Sequence, residues 1–260
     1  MLDVDGTLVH RAGAELRVQP GAVEMLERIR ASRRRYVLFT NGSHATPESF
    51  AADLRAAGLP VADDELLTPL QSVQCYLRAR RPGAAVLVFA GETPRDYLVR
   101  AGVRVVEGAA ADAADVVFVA HSDVVDFPRL EQAARAVLGG ARLLTASYQP
   151  AYAGANGPIL SRGAMTAAAI AKASGTRPVV VGKPSRAAVE AFRDRLGTAP
   201  EELAVIGDDV SMDIALGHMA GARTILVRSG ISKELDLDRV PEGRRPHDVV
   251  SGVAELLDRL

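Results

Sequence analysis

The stretch Met1-Leu2-Asp3-Val4-Asp5-Gly6-Thr7-Leu8 decides how the chain is read. Apolar residues alternate with Asp3 and Asp5, and Gly6-Thr7 ends the run, which is the pattern of a strand entering a turn. Residues two apart on a strand share a face, so both carboxylates project together. Acids crowded at a strand end repel each other and lose solvation unless a cation or a substrate uses them. An ordinary strand with an Asp-Gly turn fits these eight residues almost as well, and three later stretches decide between the two. Only Met1 and Leu2 precede Asp3, whereas a typical strand has roughly 5–6 residues. Either the strand is short or the true start lies upstream.

Outward from this stretch, the chain alternates strands and helices. Residues 8–19 read as a loop or small hairpin, and Pro20-Gly21 opens an amphipathic helix with Val23, Leu26 and Ile29 inward. Tyr36-Val37-Leu38-Phe39 is an apolar run ending at Thr40-Asn41-Gly42-Ser43. A helix from Pro47, a strand Glu65–Thr68 and a helix Pro69–Arg80 follow. This order predicts a parallel sheet with right-handed crossovers. Arg81-Pro82-Gly83 marks a boundary, after which the alternation restarts for about a hundred residues, the size of a further domain. Then Pro178-Val179-Val180-Val181 runs into Gly182-Lys183-Pro184-Ser185, with Ser185 as helix N-cap. Leu203-Ala204-Val205-Ile206 runs into Gly207-Asp208-Asp209, followed by a helix from about Ser211 to Ala220, a strand Thr224–Val227 and a closing helix. The fold class expected from this alternation is α/β, with a second α/β unit over residues 82–178.

The composition narrows the function. A formal net charge of -1 offers no nucleic-acid surface and no polybasic membrane patch. Cys75 is the single cysteine, so internal disulfides and multi-cysteine metal sites are excluded. The absence of a signal peptide and of any membrane-length apolar run makes a cytoplasmic location the expectation.

Four apolar runs end in polar tips: Asp3/Asp5, Thr40/Asn41, Lys183 and Asp208/Asp209. Open parallel sheets bind ligands at the carboxyl ends of their strands, so the tips can converge on one crevice. Carboxylates suit a hard cation such as Mg²⁺. A lysine and a hydroxyl suit a phosphate dianion. Each tip has a plainer reading: Thr40 as a strand-end threonine, Asn41-Gly42 as a turn, and Asp208, Asp209 and Asp213 as acids at a helix start. Lys183 resists one. It is one of three lysines, with Lys172 and Lys233, in an arginine-rich chain, and it stands at a strand end beside Gly and Pro.

In this order, Asp3-Val4-Asp5-Gly6-Thr7, Thr40-Asn41, Lys183 and Gly207-Asp208-Asp209 with Asp213 resemble the four motifs of the haloacid dehalogenase (HAD) superfamily. The long insertion, Pro20-Gly21-Ala22-Val23-Glu24 and Val181-Gly182-Lys183-Pro184-Ser185 are similar to the NagD / 4-nitrophenylphosphatase branch, and this resemblance implies a Rossmann-like parallel-sheet core, residues 1–81 and 179–260, with a large inserted α/β cap domain, residues 82–178. The resemblance implies a phosphomonoesterase for a small phosphorylated metabolite. Asp3 would be the nucleophile, forming an aspartyl-phosphate. Asp5 would protonate the leaving oxygen and then deprotonate water. Mg²⁺ would be held by Asp3, Asp208 and the backbone carbonyl of Asp5, offsetting a carboxylate–phosphate repulsion of roughly 8 kcal/mol at ~4 Å and an effective dielectric of ~20. Thr40, Asn41, Gly42 and Lys183 would hold phosphoryl oxygens, and Asp209 and Asp213 would orient the metal's waters or Lys183. Asp5 itself favours a phosphatase or phosphomutase over a dehalogenase. A phosphomutase and a catalytically idle HAD-like binding module are the alternatives. In the cap, Thr145-Ala146-Ser147-Tyr148 stands where relatives often carry Thr-Asn-x-Asp, so Tyr148 replaces an acid in the expected substrate-selecting loop. A homodimer through the cap is a further expectation.

Overall fold

The computed structural model describes residues 1–12, 15–152 and 159–259. The chain opens with β1 (Leu2–Asp3), then an antiparallel pair, β2 (Val9–Ala12) and β3 (Glu15–Val18). Next come α1 (Ala22–Ala31), β4 (Leu38–Phe39), α2 (Pro47–Ala56), β5 (Leu66–Leu67) and α3 (Pro69–Arg80). The middle of the chain supplies β6 (Ala85–Phe89), α4 (Glu92–Arg100), β7 (Arg104–Val105), β8 (Val116–Val119), α5 (Phe127–Leu138) and β9 (Arg142–Thr145). A short antiparallel pair, β10 (Ala151–Tyr152) and β11 (Ile159–Leu160), precedes α6 (Arg162–Ser174) and β12 (Val179–Val180). The last part holds α7 (Arg186–Leu196), β13 (Ala204–Gly207), α8 (Ala215–Ala220), β14 (Arg223–Val227) and β15 (Asp248–Val250).

Two parallel sheets result. The first has the order β15-β14-β13-β1-β4-β5, the second β12-β9-β8-β6-β7. Strand β1 is central, with Leu2 opposite Ile206 of β13 on one side and Leu38 of β4 on the other. It is short, but its neighbours use its backbone: Leu2 N–H donates to Val37 O at 2.9 Å and Ile206 N–H to Met1 O at 3.0 Å.

The period-2 alternation of strand side chains sorts residues between the two faces of the first sheet. Leu2, Leu38, Leu66 and Ile206 join one core with Met25 and Leu26 of α1 and Leu54 of α2. Their sequence neighbours Met1, Phe39, Leu67 and Val205 join the other, with Val189 and Phe192 of α7 and Leu216 of α8. The second sheet divides the same way. Leu87, Val117 and Leu143 face α5 and α6, while Val86, Phe118 and Leu144 share a core with Leu98 of α4 and with Leu70, Val73 and Leu77 of α3. Helix α3 therefore lies between the sheets, packed on α7 as well.

Several expectations are revised. Val179 and Val180, read with the last part of the chain, pair with Leu144 and Thr145 as an edge strand of the second sheet. The helix expected from Ser211 begins as a wide π-type segment, Val210–Ile214, before α8. The closing helix is a 3₁₀ run, Val253–Arg259. Strand β15 and the pair β10/β11 were not legible as strands, being short and, in β10/β11, half-exposed or exposed. No helix among the described residues is long and apolar enough to cross a membrane.

Phe192 tests the interlocking of α7 with the first sheet, since it is fully buried in that core. Phe192→Ala should cost about 3–5 kcal/mol in the free energy of unfolding, read from urea denaturation. A loss under about 1 kcal/mol would mean that this face is loosely packed.

Candidate active site

The site begins where β1 ends. After Asp3 the chain turns on Val4, whose carbonyl accepts from Leu8 N–H at 2.9 Å and Val9 N–H at 3.0 Å. The turn requires Gly6, at φ +86°, where a Cβ would stand 2.3 Å from Asp208 Oδ2. It also folds Thr7 back, so that its hydroxyl donates to Asp3 Oδ2 at 3.0 Å. The other oxygen of Asp3 accepts from the Lys183 ammonium. Lys183 donates as well to Asp213 Oδ1 at 2.8 Å, and all three residues are buried.

Lys183 reaches this place by an unexpected route. Its tip follows β12 of the second sheet, whereas the other three tips follow β1, β4 and β13 of the first. The chain crosses over at Val181-Gly182, where Gly182 N–H donates to Ala146 O at 3.1 Å. Asn41 then clasps the lysine backbone: its Nδ2 donates to Lys183 O at 2.8 Å and its Oδ1 accepts from Lys183 N–H at 2.7 Å. Ser185 caps α7 by accepting from Ala188 N–H at 3.0 Å, as expected.

Asp208 follows β13. Its Oδ2 accepts from Ile231 N–H at 2.6 Å, and its backbone carbonyl from Ser232 N–H at 3.2 Å. Gly230 is obligatory beside it, since a Cβ there would lie 1.8 Å from Asp208 Oδ2. Asp3, Asp208 and Asp213 each offer a carboxylate oxygen within 4.8 Å of the others. Three carboxylates face one ammonium, so the fully ionised cluster carries two uncompensated negative charges in a buried setting. Burial first, then Asp3, push the Asp208 and Asp213 carboxyls well above the usual range, helped by Asp213 at Asp208 and by Asp209 at Asp213, with Lys183 opposing in both. A divalent cation fits this excess. Both Asp213 oxygens are engaged, by Lys183 and by Asp209 N–H at 3.2 Å, as are both of Asp3, by Thr7 and Lys183, whereas Asp208 Oδ1 accepts no hydrogen bond among the described residues.

The remaining expected residues divide. Thr40 donates its hydroxyl to Asp5 Oδ2 at 3.3 Å and accepts from Gly42 N–H at 3.0 Å. Asp5 also pairs with Arg11, Nε to Oδ1 3.5 Å, and its side chain is 44 % exposed. Its carboxyl is nevertheless raised, by lost solvation in the crevice and then by Asp3, with Arg11, Thr40 and Lys183 opposing. The Asn41 side-chain amide is bonded to the Lys183 backbone, while its own backbone N–H makes no hydrogen bond among the described residues. The Asp209 carboxylate is likewise spent locally, accepting from Ser211 N–H at 2.7 Å and Met212 N–H at 3.2 Å as a cap. Tyr148 is 43 % exposed, two residues beyond Ala146, on whose carbonyl the chain rests just before Lys183.

Sequence reasoning assigned no role to Thr7, nor to the segment Ser229–Ser232 after β14. That segment holds Asp208 and reaches β1 through Ser229 Oγ, which donates to Gly6 O at 2.7 Å. The signal was present, since Ser229-Gly230 is a fifth polar tip after an apolar strand.

Residues 1–104 match the haloacid dehalogenase-like hydrolases and residues 180–256 a HAD-hydrolase-like family. The ribonucleotide monophosphatase NagD of Escherichia coli K12 is 32% identical over 254 residues, 98% of this chain and 96% of the relative. The chain belongs to the HAD hydrolases, in their NagD-like branch. The solved NagD structure superposes with a TM-score of 0.86 at 30% identity, covering 98% of this chain and 96% of that one. A p-nitrophenyl phosphatase from Archaeoglobus fulgidus gives 0.87 at 26% identity, over 100% of this chain and 98% of that one. A glycerol phosphate phosphatase from Mycobacterium tuberculosis, in complex with magnesium, gives 0.85 at 27% identity, covering 98% of this chain and 75% of that one.

The excess charge makes a pH prediction for this HAD hydrolase without metal. Folded Asp208 keeps its proton to higher pH than unfolded Asp208, so its burial costs stability increasingly as pH rises from about 4 toward its raised pKa. In EDTA, Asp208→Asn should therefore melt above wild type at about pH 8, and the gap should narrow toward about pH 5. A pH-independent gap would show that Asp208 carries no such charge penalty.

Proposed function

We propose that the protein is a Mg²⁺-dependent phosphomonoesterase that hydrolyses a small phosphorylated metabolite through an aspartyl-phosphate on Asp3. The observation that carries this reading is the Asp3 carboxylate at the carboxyl edge of a parallel sheet, bonded to a buried lysine and within 4.8 Å of two further carboxylates. The phosphatases among its relatives support it. Asp3, Asp208 and the Asp5 carbonyl oxygen, which accepts no hydrogen bond among the described residues, would hold the metal. When bound, Mg²⁺ supplies the positive charge that lets a carboxylate approach a phosphate dianion.

The residues divide the work. An Asp3 oxygen attacks phosphorus while the bond to the leaving oxygen breaks, and Asp5 gives that oxygen its proton. Asp5 then takes a proton from water as the water attacks the aspartyl-phosphate, and phosphate leaves with Asp3 restored. Lys183 and Thr40 stabilise the phosphoryl oxygens. Asn41 acts through the Lys183 backbone, and Asp213 holds the ammonium at its height. Residues 82–180, with their own sheet, would serve as a cap over the crevice, which favours a small substrate. Tyr148 would contact its leaving group.

Mg²⁺-dependent hydrolysis of 4-nitrophenyl phosphate, abolished by EDTA, tests the reaction class. Asp3→Asn should reduce turnover at least about 10³-fold while Mg²⁺ binding, followed by calorimetry, changes far less. Near wild-type turnover in that variant would exclude the covalent route.

Tyr148→Ala should reorder kcat/KM across a set of phosphorylated metabolites while leaving Mg²⁺ dependence intact, because the core residues grip only what every phosphomonoester shares. A uniform change across the set would assign the tyrosine a structural task.

A further inference from the structure

We infer that Arg11 receives an anionic group, a carboxylate or a second phosphate, carried on the leaving-group side of the substrate. The inference rests on the phosphatase reading above and narrows its substrate class. Arg11 stands on β2 with its side chain 33 % exposed, and among the described residues its one close charged partner is Asp5, met through Nε at 3.5 Å. Among the described residues its guanidinium makes no hydrogen bond, although it presents five donors in a rigid fork that matches carboxylate and phosphate. Arg30, Arg80 and Arg223, by contrast, are each bonded to an acid, Glu65, Glu190 and Asp248.

The place of this guanidinium decides what it would meet. Asp5 is the residue that would protonate the leaving oxygen, so the departing group must lie against Asp5 and within reach of Arg11. His44 lies within the electrostatic reach of Arg11 and Asp5, its ring stands 5.9 Å from that of His121, edge to face, and His121 N–H donates to Ser43 Oγ at 3.1 Å. Both Arg11 and His121 bear on His44, which burial and these two neighbours hold below its ordinary pKa, against Asp5 and Asp53. Asp123 is taken by His121 at 3.2 Å and by Arg162. Beside the Asp5 carboxylate, which the leaving oxygen would meet, these residues offer one charged fork and two imidazoles. An ammonium there would be repelled, and a neutral hydroxyl would leave the fork to water.

The test compares kcat/KM for 2-phosphoglycolate, 2-hydroxyethyl phosphate and phosphoethanolamine, whose leaving groups are of similar length and differ in charge. A short alkane bisphosphate beside its monophosphate alcohol tells a second phosphate from a carboxylate. Wild type should prefer an anionic leaving group, and Arg11→Gln should lower the anionic-to-neutral ratio at least about ten-fold. Arg11→Lys should retain the preference, which separates charge from folding. Arg11→Glu should move it toward phosphoethanolamine. No preference in wild type, or an equal loss on all substrates in Arg11→Gln, would overturn the inference, the latter placing Arg11 in the service of Asp5 alone. Absence of Mg²⁺-dependent 4-nitrophenyl phosphate turnover in wild type would instead sink the phosphatase reading, and this inference with it.

Discussion

The structure depends on one buried contact, the Lys183 ammonium held between Asp3 and Asp213. Stripping three such ions of water costs several kcal/mol for each, and pairing recovers that only with good geometry and further hydrogen bonds. The fold supplies both. Asn41 fixes the lysine backbone, Thr7 takes the spare oxygen of Asp3, and the Asp209 N–H takes that of Asp213. Few of these partners touch a ligand in the proposed reaction, yet each sets the position of a group that does. Asp208 lies outside this balance, and its negative charge is what a divalent cation answers.

Much of this was legible before any coordinates. Period-2 alternation in short apolar runs gives the strands, and a polar tip after each gives the crevice, because parallel strands all end on one edge. The centrality of β1 follows from its apolar neighbours on both sides. What could not be read were pairings between distant residues. Nothing local distinguishes Val179-Val180 as a strand of the second sheet, since its partner Leu144-Thr145 is remote in sequence and the run is equally apolar wherever it pairs. The bonds that the Asn41 and Asp209 side chains make were unreadable for a related reason. Short polar side chains readily bond nearby or passing backbone, and their nearest partner, not their type, decides what they do.

Close approach also explains why the glycines near the site carry information that motifs alone do not. Gly6 and Gly230 come from opposite ends of the chain, and both lie against the same Asp208 oxygen. A side chain at either position would push on the acid itself. The carboxylate is thus held by backbone on two sides and by the Ile231 N–H from a third.

Helix α3 has a consequence for the way this protein can be taken apart. Leu70, Val73 and Leu77 shelter against Val86, Phe118 and Leu144, and Lys183 is delivered to its acids directly from the edge strand of the same sheet. The inserted unit is therefore not a detachable module. Excising it to obtain a minimal enzyme would strip one flank of α3 and cut the tether of the lysine. Grafting a foreign insert in its place would have to reproduce an apolar floor for α3 and an edge strand ending at the same height as β12.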